Sequence, residues 1–146
     1  LPPSEDVGAW SVSIKTNPLD DSRTVTLILL AESGTSRWGT PIGLILRCDS
    51  NQTDVYIAWS DYLGSEARVT WRVGDEDARA AQWSLSTNKE ATFYPYDEIS
   101  FIQQLLTTTR FVAQVTPYNE SPITAVFDLT GLANAIRPLQ EACGWE

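Results

Sequence analysis

Two cysteines, Cys48 and Cys143, constrain the fold of this chain more than any other feature of its sequence. In "LILRCDS" strict alternation sets Leu44, Leu46 and Cys48 on one face and Ile45, Arg47 and Asp49 on the other, as in a strand with one buried face. In "GLANAIRPLQEACGWE" the residues Leu132, Ile136, Leu139 and Cys143 recur at spacings of four, three and four. That is one stripe of a helix, with Gly144 as its stop. Both cysteines therefore point inward, and a helix docked on the sheet brings them within bridging reach. Reduced, they would act as small apolar core residues. The even count, the shared direction and the lack of a metal-ligand companion favour a disulfide, which implies an oxidising compartment.

The rest of the chain supplies partners for that strand. "WSVSIKT" alternates Trp10, Val12 and Ile14 against Ser11, Ser13 and Lys15, and "TVTLILLA" follows an Asp-Asp-Ser turn. Residues 43 to 59 read as a hairpin whose second strand turns Val55, Ile57 and Trp59 inward. "RVTWRV" sets Val69, Trp71 and Val73 on one side, and "RFVAQVT" and "ITAVFD" flank the turn "PYNESP". "YDEISFIQQLLTT" carries Ile99, Ile102, Leu105 and Leu106 at helical spacing, with Asp97 and Glu98 at its positive end. A second helix spans 132 to 143, and Pro138 should kink or divide it. Strand connections this short rule against parallel crossovers. The expected fold is α+β: a mainly antiparallel β-sheet or sandwich with two helices, the C-terminal one tied to the sheet by the disulfide. No repeat, low-complexity tract or linker divides the chain, so 1–146 reads as a single domain.

Composition narrows the chemistry. The chain has no histidine, which removes Ser-His and Cys-His nucleophiles and His-ligated zinc. A net charge of -9 argues against nucleic acid and anionic lipid as partners. The longest apolar run, Leu27 to Ala31, is too short to cross a bilayer. A start at Leu1 followed by the Pro-rich "LPPSEDVG" fits a mature protein whose leader was removed or omitted. Paired carboxylates can hydrolyse glycans, but Asp75, Glu76 and Asp77 in "GDEDA", like Asp20 and Asp21, read as solvated turns, and no calcium-loop pattern is present. No catalytic residue, metal or cofactor is expected. "NQT" at Asn51 and "NES" at Asn119 match a glycosylation acceptor pattern that bears only on a eukaryotic secretory route.

Binding is the better prospect. Arg47 and Arg72 lie opposite the core residues of their strands, with Tyr56 on the matching face of the strand between. If these strands are sheet neighbours, the three side chains converge on a carboxylate-bearing ligand. Of the six tryptophans, Trp10, Trp59 and Trp71 share the parity of core aliphatics, whereas Trp38, Trp83 and Trp145 are freer. Trp38, beside Arg37 in a Gly-containing loop, and Trp83 are further candidates for a partner surface.

The order of "LDDSRTVTLIL", "LILRCDSNQTDVYIAWSDYLG", "VTWRVGDEDARAAQWSLS", "FIQQLL" and "VTPYNESPITAVFDLTGLANAIRPLQEAC" resembles the type VI secretion-associated VasI/TagO family, from about Trp10 to Cys143. The "LRC" and "EAC" contexts, "WRV" with "W-S-x-S" beyond it, and "FDLTGL" before the last helix carry the likeness. The resemblance implies a bacterial periplasmic domain near a contact-dependent secretion machine, with no established enzymatic chemistry, and it makes Cys48 and Cys143 the bridge. Gly74 departs from the acidic residue expected two positions after Arg72, and Asp75 is the nearest substitute. The expected function is that of a non-catalytic periplasmic accessory protein with a protein partner in the envelope or secretion machinery. The alternatives are an immunity-type inhibitor whose acidity suits a basic toxic enzyme, and a His-free carboxylate hydrolase of peptidoglycan.

Overall fold

The computed structural model describes residues 6–146. Most of the Pro-rich entry noted above lies outside the described residues. In chain order the elements are β1 (Ser11–Thr16), β2 (Arg23–Thr35), β3 (Pro41–Asp49), β4 (Gln52–Ala58), β5 (Ala67–Val73), β6 (Arg79–Leu85), β7 (Ala91–Phe93), α1 (Glu98–Leu105), β8 (Arg110–Val115), β9 (Ile123–Asp128), α2 (Leu132–Ala135) and α3 (Arg137–Cys143). All strand pairings are antiparallel, in the order β1-β2-β3-β4-β7-β6-β5-β8-β9, and β9 returns to β2 through Ser33 and Val126. The sheet thus closes on itself as an eight-stranded barrel, and the choice between sheet and sandwich resolves as one curved sheet. Closure pairs both edges of every barrel strand and leaves β1 as the remaining free edge among the described residues.

The length of β2 explains how closure leaves room for β1. Its first half pairs with β1 and β3, the register shifts between Leu30 and Thr35, and its second half meets β9. β1 therefore continues along the edge that β9 vacates. The expected alternation holds, since Val12 and Ile14 lie opposite Leu27 and Val25. Their burial does not: they are 37% and 50% exposed, because β1 overhangs the point of closure. Only Trp10 of that trio enters the core, where its indole N–H donates to the Leu129 carbonyl at 3.3 Å. The N-terminal segment crosses the β9–α2 turn so closely that a Cβ at Gly131 would lie 2.2 Å from the Val7 carbonyl carbon, and Gly131 has φ +93°.

Inside the barrel, alternate residues of β2, β4, β5, β8 and β9 are buried, as a half-buried strand requires, while in β3 the run Ile42 to Leu46 is buried on both faces. Trp59 is fully buried, with its N–H on the Thr92 hydroxyl at 3.0 Å. β6 and β7 were not evident in the sequence, and β6 changes the reading of Trp83. Register with Ala67 turns Trp83 inward against Trp71, ring centroids 5.4 Å apart, and leaves it 3% exposed. Trp83 is a core residue rather than a freely exposed one.

The helices gather at one end. Asp97 caps α1 by accepting from the Ser100 amide at 3.2 Å and its hydroxyl at 2.8 Å, and Phe101, Ile102 and Leu105 form the buried stripe. The C-terminal helix is divided at Ile136, and Pro138 sits in the first turn of α3, where its missing N–H leaves no bond unmade. Gly144 ends α3 in the left-handed conformation at φ 68°. α3 packs on β2 and β3, and Cys143 is bonded to Cys48 with Cα atoms 5.9 Å apart, across 95 residues. Trp145 adds a second tie, from its N–H to the Thr53 hydroxyl at 3.1 Å. At the opposite end, the connections 36–40, 59–66 and 116–122 form a group of loops.

Candidate functional site

The structure separates the three residues that strand parity had placed together. Arg47 and Tyr56 lie on adjacent strands, but the Arg47 guanidinium pairs with Asp54 directly across, at 3.1 Å, and lies 5.6 Å from the Tyr56 ring centroid. Tyr56 itself stacks on Phe93 at 4.8 Å. Arg72 is elsewhere: β7 and β6 intervene between β4 and β5. Sequence parity gives the face of a side chain and says nothing about strand order, so the convergence expected of Arg47, Tyr56 and Arg72 does not occur.

Arg72 instead helps to build a different site. Its Nε donates to the Glu76 carbonyl at 2.7 Å and its Nη2 to that of Asp75 at 3.2 Å, so the guanidinium closes the β5–β6 turn through main-chain acceptors. Among the described residues the ion pairs are Arg37–Glu120 and Arg47–Asp54, and the charge of Arg72 is balanced by neither. β8 pairs with β5 so that Arg72 faces Val112 and Thr70 faces Gln114. The same register puts Gly74 opposite Arg110, and Arg110 diagonal to Arg72 on the outer face, roughly 7–8 Å away between backbones. Gly74 and Ala78 supply almost no bulk there, and a depression of about 500 Å³ results, open to solvent. Gly74 is needed twice over, since φ is +57° and a Cβ would lie 2.7 Å from the Thr108 hydroxyl. Any side chain at 74, an acidic one included, would crowd Thr108. Arg110 was missed because β6, β7 and α1 separate its strand from β5 in the chain, although Arg110, Val112 and Gln114 do share one parity.

A second cluster occupies the loop end. Trp38 is 74% exposed, and the Arg37 guanidinium lies 5.1 Å from its ring centroid. Arg37 also pairs with Glu120 at 3.3 Å, and its amide donates to Asp61 Oδ2 at 3.2 Å. Asp61 is buried. Loss of hydration, then the hydrogen bond and the charge of Asp61, push the Glu120 carboxyl above its ordinary range, while Arg37 pulls it down. Beside this core the exposed rings of Tyr62 and Tyr118 meet edge to face at 5.8 Å, and the Tyr118 amide donates to the Tyr62 carbonyl at 3.0 Å. Exposed aromatics on three cross-linked loops form a firm platform for a protein surface or a sugar ring. Asp61 and Glu120 are thus neighbouring acids that meet around Arg37.

The other acids stay apart. Asp75, Glu76 and Asp77 are spread along the exposed β5–β6 turn, and Asp20 lies in the β1–β2 turn. The Asp20 carboxylate accepts from the hydroxyl and the amide of Ser22, which lowers its pKa. Among the described residues no three His, Cys, Asp or Glu side chains gather as a metal site would require, and no helix is long and apolar enough to cross a membrane.

Residues 9–145 match the family described as Type VI secretion system VasI, EvfG, VC_A0118. Comparison with curated proteins finds no match. Among solved structures, the crystal structure of invasion associated protein b from Bartonella henselae is similar, with a TM-score of 0.65 and 13% identity over 93% of each chain. At that identity the likeness speaks to the fold alone.

Proposed function

This chain belongs to the type VI secretion system VasI family, and on that premise we propose that it is a non-catalytic accessory protein of the bacterial envelope, working in the periplasm and holding a protein component of the secretion machinery. The family match over residues 9–145 carries the reading. The Cys48–Cys143 disulfide supports the compartment, because such bridges persist where the surroundings are oxidising. Asp20, Asp97 and Asp128 accept local hydrogen bonds in turns and a helix cap, the use expected of structural carboxylates. The partner surface in this proposal is the loop end, where Trp38, Tyr62 and Tyr118 expose half or more of their surface. Large aromatics on a fixed backbone are the side chains that most often dominate association energy.

The test is recovery of the tagged protein from periplasm with identification of what it holds. The wild type is expected to retain a component encoded with the secretion machine. Trp38→Ala should reduce that recovery about tenfold or more, a loss of at least about 1.4 kcal/mol, with an unchanged melting temperature. A toxic enzyme as the retained partner would favour the immunity reading, and turnover of cell-wall fragments by the purified protein would favour the hydrolase.

A further inference from the structure

The loop end does not account for the depression between β5 and β8, and that feature stands on separate observations. The chain carries a net charge of -9, so its overall field repels anions. Against that background two arginines on neighbouring strands share one hollow of about 500 Å³, within the ordinary range for small-molecule sites. Arg72 is fixed in direction by the carbonyls of Asp75 and Glu76, which occupy two of its five N–H donors and leave the others for a ligand. Arg110 lies across the ladder from Asp128, the acid best placed to neutralise it. Asp128 turns instead to the Thr130 amide at 3.0 Å and hydroxyl at 2.6 Å, bonds that also lower its pKa. The guanidinium of Arg110 thus has no ion-pair partner among the described residues.

We propose that this depression is a binding site for a small carboxylate-bearing ligand, with Arg72 and Arg110 as the cationic groups that hold the carboxylate. A guanidinium fork matches the two oxygens of a carboxylate in one plane. Asp75 also lines the hollow, so two positive charges are offset by one negative, which suits a singly charged ligand better than a phosphate dianion. The remaining wall is uncharged and polar. Gln114 donates to the Thr124 hydroxyl at 2.8 Å, which leaves the Gln114 carbonyl as an acceptor and the Thr124 hydroxyl hydrogen as a donor beside the arginines. A carboxylate next to an amide or hydroxyl meets both requirements, as in the C-terminus of a short peptide or in a sugar acid.

The experiment is a titration of the full chain, disulfide intact, followed through its backbone amide resonances with four probes: N-acetylalanylalanine, its C-terminal amide, glucuronate and inorganic phosphate. Saturable shifts centred on Thr70, Val112, Gln114 and Thr124 are expected with the free peptide acid, with glucuronate, or with both, and the comparison identifies the source of the carboxylate. The peptide amide should bind at least about tenfold more weakly than the acid, and Arg110→Ala should weaken the carboxylate by a similar factor while leaving the amide spectrum otherwise folded. No saturable shifts with either carboxylate, equal binding of acid and amide, or tighter binding of phosphate would overturn the proposal. The acid-against-amide comparison is made on the wild type, so it holds even if a variant fails to fold. The site is on the barrel wall, so its failure leaves the loop-end reading untouched, and the converse is equally true.

Discussion

Glu120 shows how a single side chain records its surroundings. Its side chain is only 18% exposed and hydrogen-bonded to Asp61, and its carboxyl group is easier to protonate in the folded protein than in the unfolded chain. A raised folded pKa means a contribution to stability that is fully present below the ordinary value near 4.5 and is lost as the pH rises through the raised one. Glu120→Gln imitates the protonated form at every pH. The variant is therefore expected to gain on the wild type as the pH goes from 4 to 7 in paired thermal melts, and a constant difference would show that the contact with Asp61 does not hold a proton. Arg72 gives a second lesson at this scale. Strand parity correctly predicted its outward face, but not its partners, which are the main-chain carbonyls of a turn three and four residues on.

At the scale of elements, α1 depends on Asp97 in the opposite sense. The bonds from the Ser100 hydroxyl and amide lower the Asp97 pKa below 3.8, so the cap contributes above that value and is lost as the pH falls through the folded one. Asp97→Ala should lower the melting temperature at pH 7, and the deficit should shrink toward pH 2 as the wild type also loses its carboxylate. A deficit independent of pH would assign the effect to helix propensity rather than to the charged cap. The cap and the stripe of α1 were legible because a helix announces itself within a dozen residues. So was the strand carrying Cys48, through clean alternation. β6 was not legible: "RAAQWSL" has small or polar residues on both parities except Trp83 and Leu85, so the alternation that would have placed Trp83 in the core is too thin to read. The Arg72–Arg110 pair was hidden for a different reason, since the β5–β8 ladder joins segments separated by two strands and a helix.

For the molecule as a whole, the barrel is held from outside its own ladder by one covalent tie. Cys48–Cys143 closes 95 residues, containing every element from β4 to α3, into a single loop. In the chain-entropy account, a loop of that size restricts the unfolded chain by the equivalent of roughly 4–5 kcal/mol. In a chain of this length, each kcal/mol moves the melting temperature by about 2–4 °C. Cys143→Ser is accordingly expected to melt roughly 8–20 °C below the wild type, and wild type melted in reductant should fall by a similar amount. The folded spectrum should persist below the transition, because α3 keeps Leu139 in the core and Trp145 on Thr53 without the bridge. These contacts hold the folded state alone, whereas the bridge also limits the unfolded one, and that difference is measurable. If the loss arose from helix packing, Leu139→Ala would reproduce it with the disulfide intact and reductant would then lower the melting temperature no further. An additional fall on reduction of Leu139→Ala would assign the effect to the constrained chain, which is the outcome expected for a bridge joining the first third of a barrel to its last helix.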